Sequence, residues 1–479
     1  MKRSAIPLIV ACLSGVTTAA WAEDVARNGT LSGPAAGGTR GGPFGAMTGA
    51  ELTAAGFVEH EYFLEGDAAA YEKTGAWARD GRWPAVQGST IAKYKVRLLV
   101  RQPAKAEQFN GTVVVEWLNV TAQAEGAAEF GHMQEEILRS GYAWVGVGAQ
   151  AVGVHAPGTG LKAWDAVRYA SLTHPGDKYS YDIFTQAARA IRASKNPRLL
   201  AGEVRQVLAT GRSQSAFRLV TYINAVHLRT HVFDGFLIHS RGANASGLTA
   251  DGMGPDPEPV PVGAHIRTDV DVPVLDVQAE GDITALRSHL TRQPPGTRYR
   301  RWEIAGAAHA ETPRWVVEVP PALDQGPGCA TAVNAAPHHA VVKAALHALM
   351  RWARFGVPPP QSPDIELQDP GAPTPVVVRD GHGNARGGIR LPELQAPTAT
   401  LDGRLNTPAK VPPPPTNFCF LFGGTVAFDE ATLRSLYPDR ETFVTRFSDA
   451  ADALVRQSYW LEPEAAAAKA DAARARLGR

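Results

Sequence analysis

The chain has 479 residues, of which 44% are hydrophobic and 20% charged, with a formal net charge of +1. Those proportions are ordinary for a globular chain able to build a large core. The near-zero charge gives no electrostatic case for binding nucleic acid or an anionic membrane surface. The sequence carries no internal repeat of the kind that marks a solenoid or propeller.

The chain opens on Met1-Lys2-Arg3, runs through apolar residues from Ala5 to Leu13, and reaches small residues ending in Ala20-Trp21-Ala22. That order describes a secretory signal peptide over residues 1–22, cleaved after an A-x-A site. The apolar run is far shorter than the roughly 20 residues that span a bilayer, and no membrane span is expected elsewhere. The expected location is therefore the periplasm or the medium. Ile9-Val10-Ala11-Cys12 also has the look of a bacterial lipobox, so a lipoprotein anchored through Cys12 is the minor alternative. Loss of Cys12 leaves Cys329 and Cys419, an even pair that reads as one disulfide in an oxidising compartment, against two buried thiols as the alternative.

Residues 23–90 are rich in Gly and Ala with little periodicity and read as an N-terminal extension with an irregular start. A catalytic core is expected over 91–356. Strand-like runs lie at 93–101, 113–118, 142–147, 204–209, 234–239, 272–278 and 299–304. Helical patterns fall between several of them, at 129–139, 181–193 and 215–228. Short β runs alternating with helices predict an α/β fold, a mostly parallel sheet flanked by helices. Functional groups would then collect at the strand C-termini. The Gly/Pro-rich stretch 241–271 is a candidate lid over that edge or an idle surface excursion. A helix over 337–355 stops at Gly356 and Pro358-Pro359-Pro360. Residues 357–479, with a Pro412–Pro415 spacer and helical patterns at 440–459 and 462–477, read as a C-terminal appendage packed on the core.

The informative stretch is Val207–Phe217, where an apolar strand ends in Gly211-x-Ser213-x-Ser215 and runs into a helix. A nucleophile elbow needs small residues two places either side of the serine because the flanking chains approach closely. Ser215 replaces the more common glycine and still meets the size demand. An acid and a histidine should follow in that order, each past a strand end. Glu280 and Asp282 follow the 272–278 strand, and His309 follows 299–304 in a loop of small residues. Asp282 is the favoured acid and Glu280 the alternative; either would orient the imidazole of His309, the general base. The oxyanion hole should use the backbone N–H of Gln214 and a donor from the Asn119-Val120-Thr121 loop. Asn119 would contribute its side chain or merely shape that turn. The adjacent His338 and His339 point to different faces, so a shared metal is not expected. His132, His227 and His239 read as packed or surface histidines. Trp117, Trp144, Trp164, Trp302 and Trp315 read as core aromatics, Trp117 being close enough to the oxyanion loop to line a pocket.

Several segments resemble the bacterial "alpha/beta hydrolase domain" family of exported, esterase-like proteins. They are V-V-V-E-W-L-N-V at 113–120, G-Y-A-W-V-G-V at 141–147, T-G-R-S-Q-S at 210–215, Q-A-E-G-D at 278–282, A-G-A-A-H at 305–309 and G-N-A-R-G-G-I-R-L-P at 383–392. The likeness spans roughly residues 40–457. It implies the α/β-hydrolase fold, a triad of Ser213, Asp282 or Glu280, and His309, and no cofactor or metal; it implies no particular substrate. The expected function is a carboxylic ester hydrolase acting on a small-molecule ester through an acyl-enzyme on Ser213. An amidase or acyltransferase with the same triad is the second reading, and a non-catalytic binding protein on this scaffold the third. A haloalkane-type hydrolase would need Asp where Ser213 stands. The sequence does not reach the oligomeric state.

Overall fold

The computed structural model describes residues 24–475 apart from 48, 197–198, 201, 253–256, 312–327, 405 and 410–417. The expected signal peptide, Cys12, Trp315 and the Pro412–Pro415 spacer lie outside the described residues.

A single large sheet organises the chain. Its strands are β1 (Thr30–Ser32), β2 (Phe57–Lys73), β3 (Ala85–Pro103), β4 (Thr112–Trp117), β5 (Ala143–Val147), β6 (Gln206–Arg212), β7 (Gly235–His239), β8 (Val274–Ala279) and β9 (Tyr299–Ala305). They lie in the order β1-β2-β3-β5-β4-β6-β7-β8-β9, and a short strand, Ile389–Arg390, pairs beyond β9. From β5 to β9 every neighbour is parallel. A parallel sheet covered on both faces needs near-continuous apolar strands, and all six residues of β4 and all five of β5 and β7 are buried. Alternation divides them: Val113, Val115 and Trp117 enter one core, Val114 and Leu118 the other.

The N-terminal segment departs from its expected irregularity. Residues 57–103 form a long antiparallel hairpin, β2 with β3, joined edge-on to β5. Its apolar signal is diluted by charges that pair across the strands. Glu59 lies opposite Arg101 and Glu65 opposite Lys95, with ion pairs of 2.7 and 2.9 Å. Glu61 reaches both Arg97 and Arg168. A strand whose charges are satisfied by its neighbour gives no clean period of two when read alone.

The stretch 241–271 is neither a free lid nor an idle excursion over its described residues. Leu248, Ala264, Ile266 and Val270 are buried in the main core. The helix expected over 215–228 forms as Gln214–Thr221 and then widens into a π-helical turn, Tyr222–His227. That widening serves the same stretch: Asn224 donates to the His265 carbonyl at 2.8 Å, and His227 bonds Asp271 at 2.8 Å.

The region beyond 357 is woven into the second core. Tyr459 and Trp460 are buried there, Tyr459 meeting Trp302 edge-on at 5.0 Å between ring centroids. The helices Arg440–Arg456 and Glu462–Arg474 pack together, and Arg139 reaches Glu464 at 3.1 Å. Cys329 and Cys419 are joined in a disulfide with Cα atoms 5.5 Å apart. It fixes the turn Cys419–Leu421, whose Leu421 carbonyl accepts from Ala310 N–H at 2.8 Å, one residue past His309.

Candidate active site

The centre of the site is the junction of β6 with the Gln214–Thr221 helix. Ser213 sits there at φ 56°, ψ −118°, a conformation that costs an L-residue on the order of 1–3 kcal/mol and persists only where its surroundings enforce it. The enforcement is visible. Ser213 N–H donates to the His239 carbonyl at 3.0 Å and its own carbonyl accepts from Phe217 N–H at 3.1 Å. A side chain at Gly211 would stand 3.0 Å from Ser215 Cβ and 3.0 Å from Leu219 Cδ1. Both small positions of the motif therefore face each other across the turn, and Ser215 fits where a larger residue would not.

Ser213 Oγ lies 3.1 Å from His309 Nε2, and His309 Nδ1 lies 2.6 Å from Asp282 Oδ1. With the Nδ1 proton on the Asp282 side, Nε2 is left as acceptor for the serine hydroxyl. Asp282 is fully buried. Burial by itself raises its carboxyl, but the His309 imidazole and the Ala279 N–H, which donates to Oδ2 at 2.7 Å, outweigh it and hold the group below the ordinary carboxylate range. The Gly281 between the two acids allows this approach, since a Cβ there would stand 2.6 Å from His309 N.

Glu280, the alternative acid, points elsewhere. Its carboxylate accepts from Gly306 N–H at 2.8 Å and from Arg379 at 2.7 Å. It braces the loop that carries His309, while the two imidazole nitrogens face Asp282 and Ser213. Asn334 continues that brace, donating to the Gly306 carbonyl at 2.7 Å. Arg212, the residue before Ser213, donates to the His309 carbonyl.

Of the two roles left open for Asn119, its bonds describe the turn. The side chain donates to the Arg212 carbonyl at 2.9 Å and accepts from Thr121 N–H at 2.9 Å, while its own N–H bonds Gly126. Asn119 and Thr121 thus have their backbone donors engaged, which leaves Val120 between them, on a loop tied to the strand end before Ser213.

Gln214 is held by a buried network that the sequence did not reveal. Its side chain donates to Gln150 Oε1 at 2.9 Å, Gln150 donates to Asp177 at 3.0 Å, and Asp177 pairs with Arg218 at 3.0 Å. Trp117 Nε1 also donates to Gln150 at 3.0 Å while its ring packs on Phe184. Trp117 is a core aromatic whose one polar atom steadies the residue next to the nucleophile candidate. Gln150, Asp177 and Arg218 stand on three separate segments, so no local spacing signals their meeting.

Three further histidines, His132, His239 and His338, are buried together at the end of β7. His239 Nδ1 bonds Glu129 at 2.7 Å, His132 Nδ1 bonds the Ala128 carbonyl at 2.7 Å, and the His338 ring stacks on that of His132 at 5.1 Å. Burial keeps all three well below the usual imidazole range, hence neutral. His227 is buried as well, bonded to Asp271, and His339 bonds Glu311.

A serine on a strained strand-to-helix turn, with histidine and a buried aspartate supplied by later strand ends of a parallel sheet, is the architecture of the α/β-hydrolase class. The chain belongs to the alpha/beta hydrolase domain family, whose profile matches residues 31–470. No curated protein sequence matches it. Among solved structures it is similar to a dienelactone hydrolase from Anabaena variabilis, at 12% identity and a TM-score of 0.28, over 47% of this chain and 86% of that one. Two fungal esterases from Rhizomucor miehei are represented at 12% identity and a TM-score of 0.29, over 56% and 83%. An α/β serine hydrolase without lid from Xanthomonas campestris matches at 12% identity and 0.26, over 44% and 78%.

The Glu280 brace has a measurable consequence. Arg379→Ala leaves the buried Glu280 carboxylate without its cation, and removing one partner of a buried pair costs about 3–5 kcal/mol. Urea unfolding should show a loss of that size, with Arg379→Lys losing less.

Proposed function

We propose that this chain is an exported serine hydrolase that cleaves carboxylic esters through an acyl-enzyme on Ser213. The observation that carries the reading is the continuous hydrogen-bonded line from Asp282 through His309 to Ser213 Oγ, at 2.6 and 3.1 Å. In this mechanism His309 Nε2 takes the Ser213 proton as Oγ attacks the ester carbonyl carbon. The tetrahedral oxyanion is received by the backbone N–H groups of Gln214 and Val120. Collapse expels the alcohol, which takes the proton from His309. A water then loses a proton to His309 and attacks the acyl carbon, and as the acid leaves His309 returns that proton to Ser213 Oγ. Asp282 stays ionised throughout and stabilises the imidazolium.

Three substitutions divide the roles. A fluorophosphonate probe should label the wild-type chain and leave Ser213→Ala unlabelled. With p-nitrophenyl esters, Asp282→Asn should lower kcat by about 10⁴-fold, and Glu280→Gln should keep kcat within roughly tenfold while lowering stability. A larger loss at 280 than at 282 would reverse the assignment of the acid. Absence of labelling in a folded wild-type chain would remove the serine mechanism.

Export is proposed on the leader pattern of residues 1–22, and the Cys329–Cys419 disulfide is the kind of bond an oxidising compartment sustains. N-terminal sequencing of the chain recovered from a periplasmic fraction should begin at Glu23. A chain retained in the cytoplasm and beginning at Met1, or one lipidated at Cys12, would contradict cleavage after Ala22.

A further inference from the structure

We propose that His132, His338 and Glu311 form a buried binding site for a divalent transition-metal ion, zinc by its chemistry, with the His239 ring beside it. One ligand atom from each of the first three lies within 4.8 Å of the others. The four side chains are enclosed, with exposures of 1%, 1%, 5% and 0% for His132, His338, Glu311 and His239. The inference is independent of the hydrolase reading.

The nitrogens are already prepared as ligands. A metal-bound histidine characteristically gives its other ring N–H to a carbonyl or carboxylate, which fixes the tautomer and aims the lone pair. His132 does so through Nδ1 to the Ala128 carbonyl, and His239 through Nδ1 to Glu129. In each case Nε2 is buried without a hydrogen-bond partner, as are both nitrogens of His338. Buried polar atoms with no partner are rare and costly. Here they belong to three rings gathered at centroid distances of 5.1, 5.3 and 5.5 Å. His338 Nδ1 and Glu311 Oε2 are 3.5 Å apart without hydrogen-bond geometry. That separation is close to the edge of a tetrahedron with arms of about 2.1 Å, the usual zinc–ligand distance.

Glu311 is the one carboxylate of the donor set, and Arg212 stands near it and near the three rings. Imidazole and carboxylate donors together suit zinc and its first-row neighbours and would not select calcium or magnesium. Among the described residues a second gathering of possible ligands, His227, His231 and Asp271, has two of its three members exposed, and Asp271 bonds both imidazoles of its group, at 2.8 and 2.7 Å, whereas Glu311 bonds the backbone N–H and ring of His339, outside its group.

Because the pocket is enclosed, the ion would be taken up as the chain folds. The test is elemental analysis of protein made without a histidine tag, expressed in zinc-supplemented medium, and again after refolding with and without zinc. Wild type should hold about one zinc per chain and melt several degrees lower when refolded zinc-free. His132→Gln and His338→Gln should each retain under a tenth of that zinc, while Asp271→Asn retains it in full. Cobalt(II)-loaded wild type gives a second reading that needs no variant: strong visible ligand-field bands of a four-coordinate site are expected. Zinc-free wild type, zinc kept by both histidine variants, zinc lost from Asp271→Asn alone, or only the weak bands of hydrated cobalt would each overturn the proposal.

Discussion

Ser213 is held at a positive φ at the end of β6, and most of the site can be understood as what is needed to keep it there. The turn has no slack, because Gly211 and Ser215 occupy each other's space and the His239 carbonyl anchors Ser213 N–H. Asn119 ties the neighbouring loop to the carbonyl of Arg212, the residue just before the turn. Gln150, Asp177 and Arg218 lock the side chain just after it. Strain of this kind survives only when several independent contacts over-determine it, and here they come from segments spread over more than a hundred residues.

The histidine side of the site is held with equal care, by parts of the chain far from the sheet centre. The backbone around His309 is gripped by Arg212 at its own carbonyl and by Leu421 at the next N–H. Glu280, Arg379 and Asn334 fix the glycine turn at Gly306 that precedes it. Gly403 comes so close to Gly281 that a Cβ on it would lie 2.6 Å from Gly281 N. The region beyond residue 357 therefore contributes to the geometry of the site and does not merely rest on the core. The disulfide closes that arrangement by fixing the turn that carries Leu421.

Much of this was legible in the sequence because it depends on local pattern. Buried parallel strands leave apolar runs, and β4, β5, β7 and β9 fall within a residue or two of where those runs predict them. The serine, the histidine and two candidate acids follow from strand-end spacing, which is fixed by the fold. Choosing between Glu280 and Asp282 was a different matter. Both lie past β8, and only the three-dimensional position of Arg379, about a hundred residues later, shows that Glu280 is already engaged. The β2–β3 hairpin was hidden because its charges pair across strands. The histidine gathering was hidden because His132, His239 and His338 come from within one helix, a strand end and the start of another helix, each unremarkable alone.

The central claim is that Ser213, His309 and two backbone donors meet around one tetrahedral carbon. The measurement that tests it most directly is a crystal structure of the chain after reaction with an alkyl phosphonate ester. The account predicts phosphorus bonded to Ser213 Oγ, with one phosphonyl oxygen about 3 Å from both Gln214 N and Val120 N. An adduct on another residue, or a phosphonyl oxygen turned away from both amides, would contradict it.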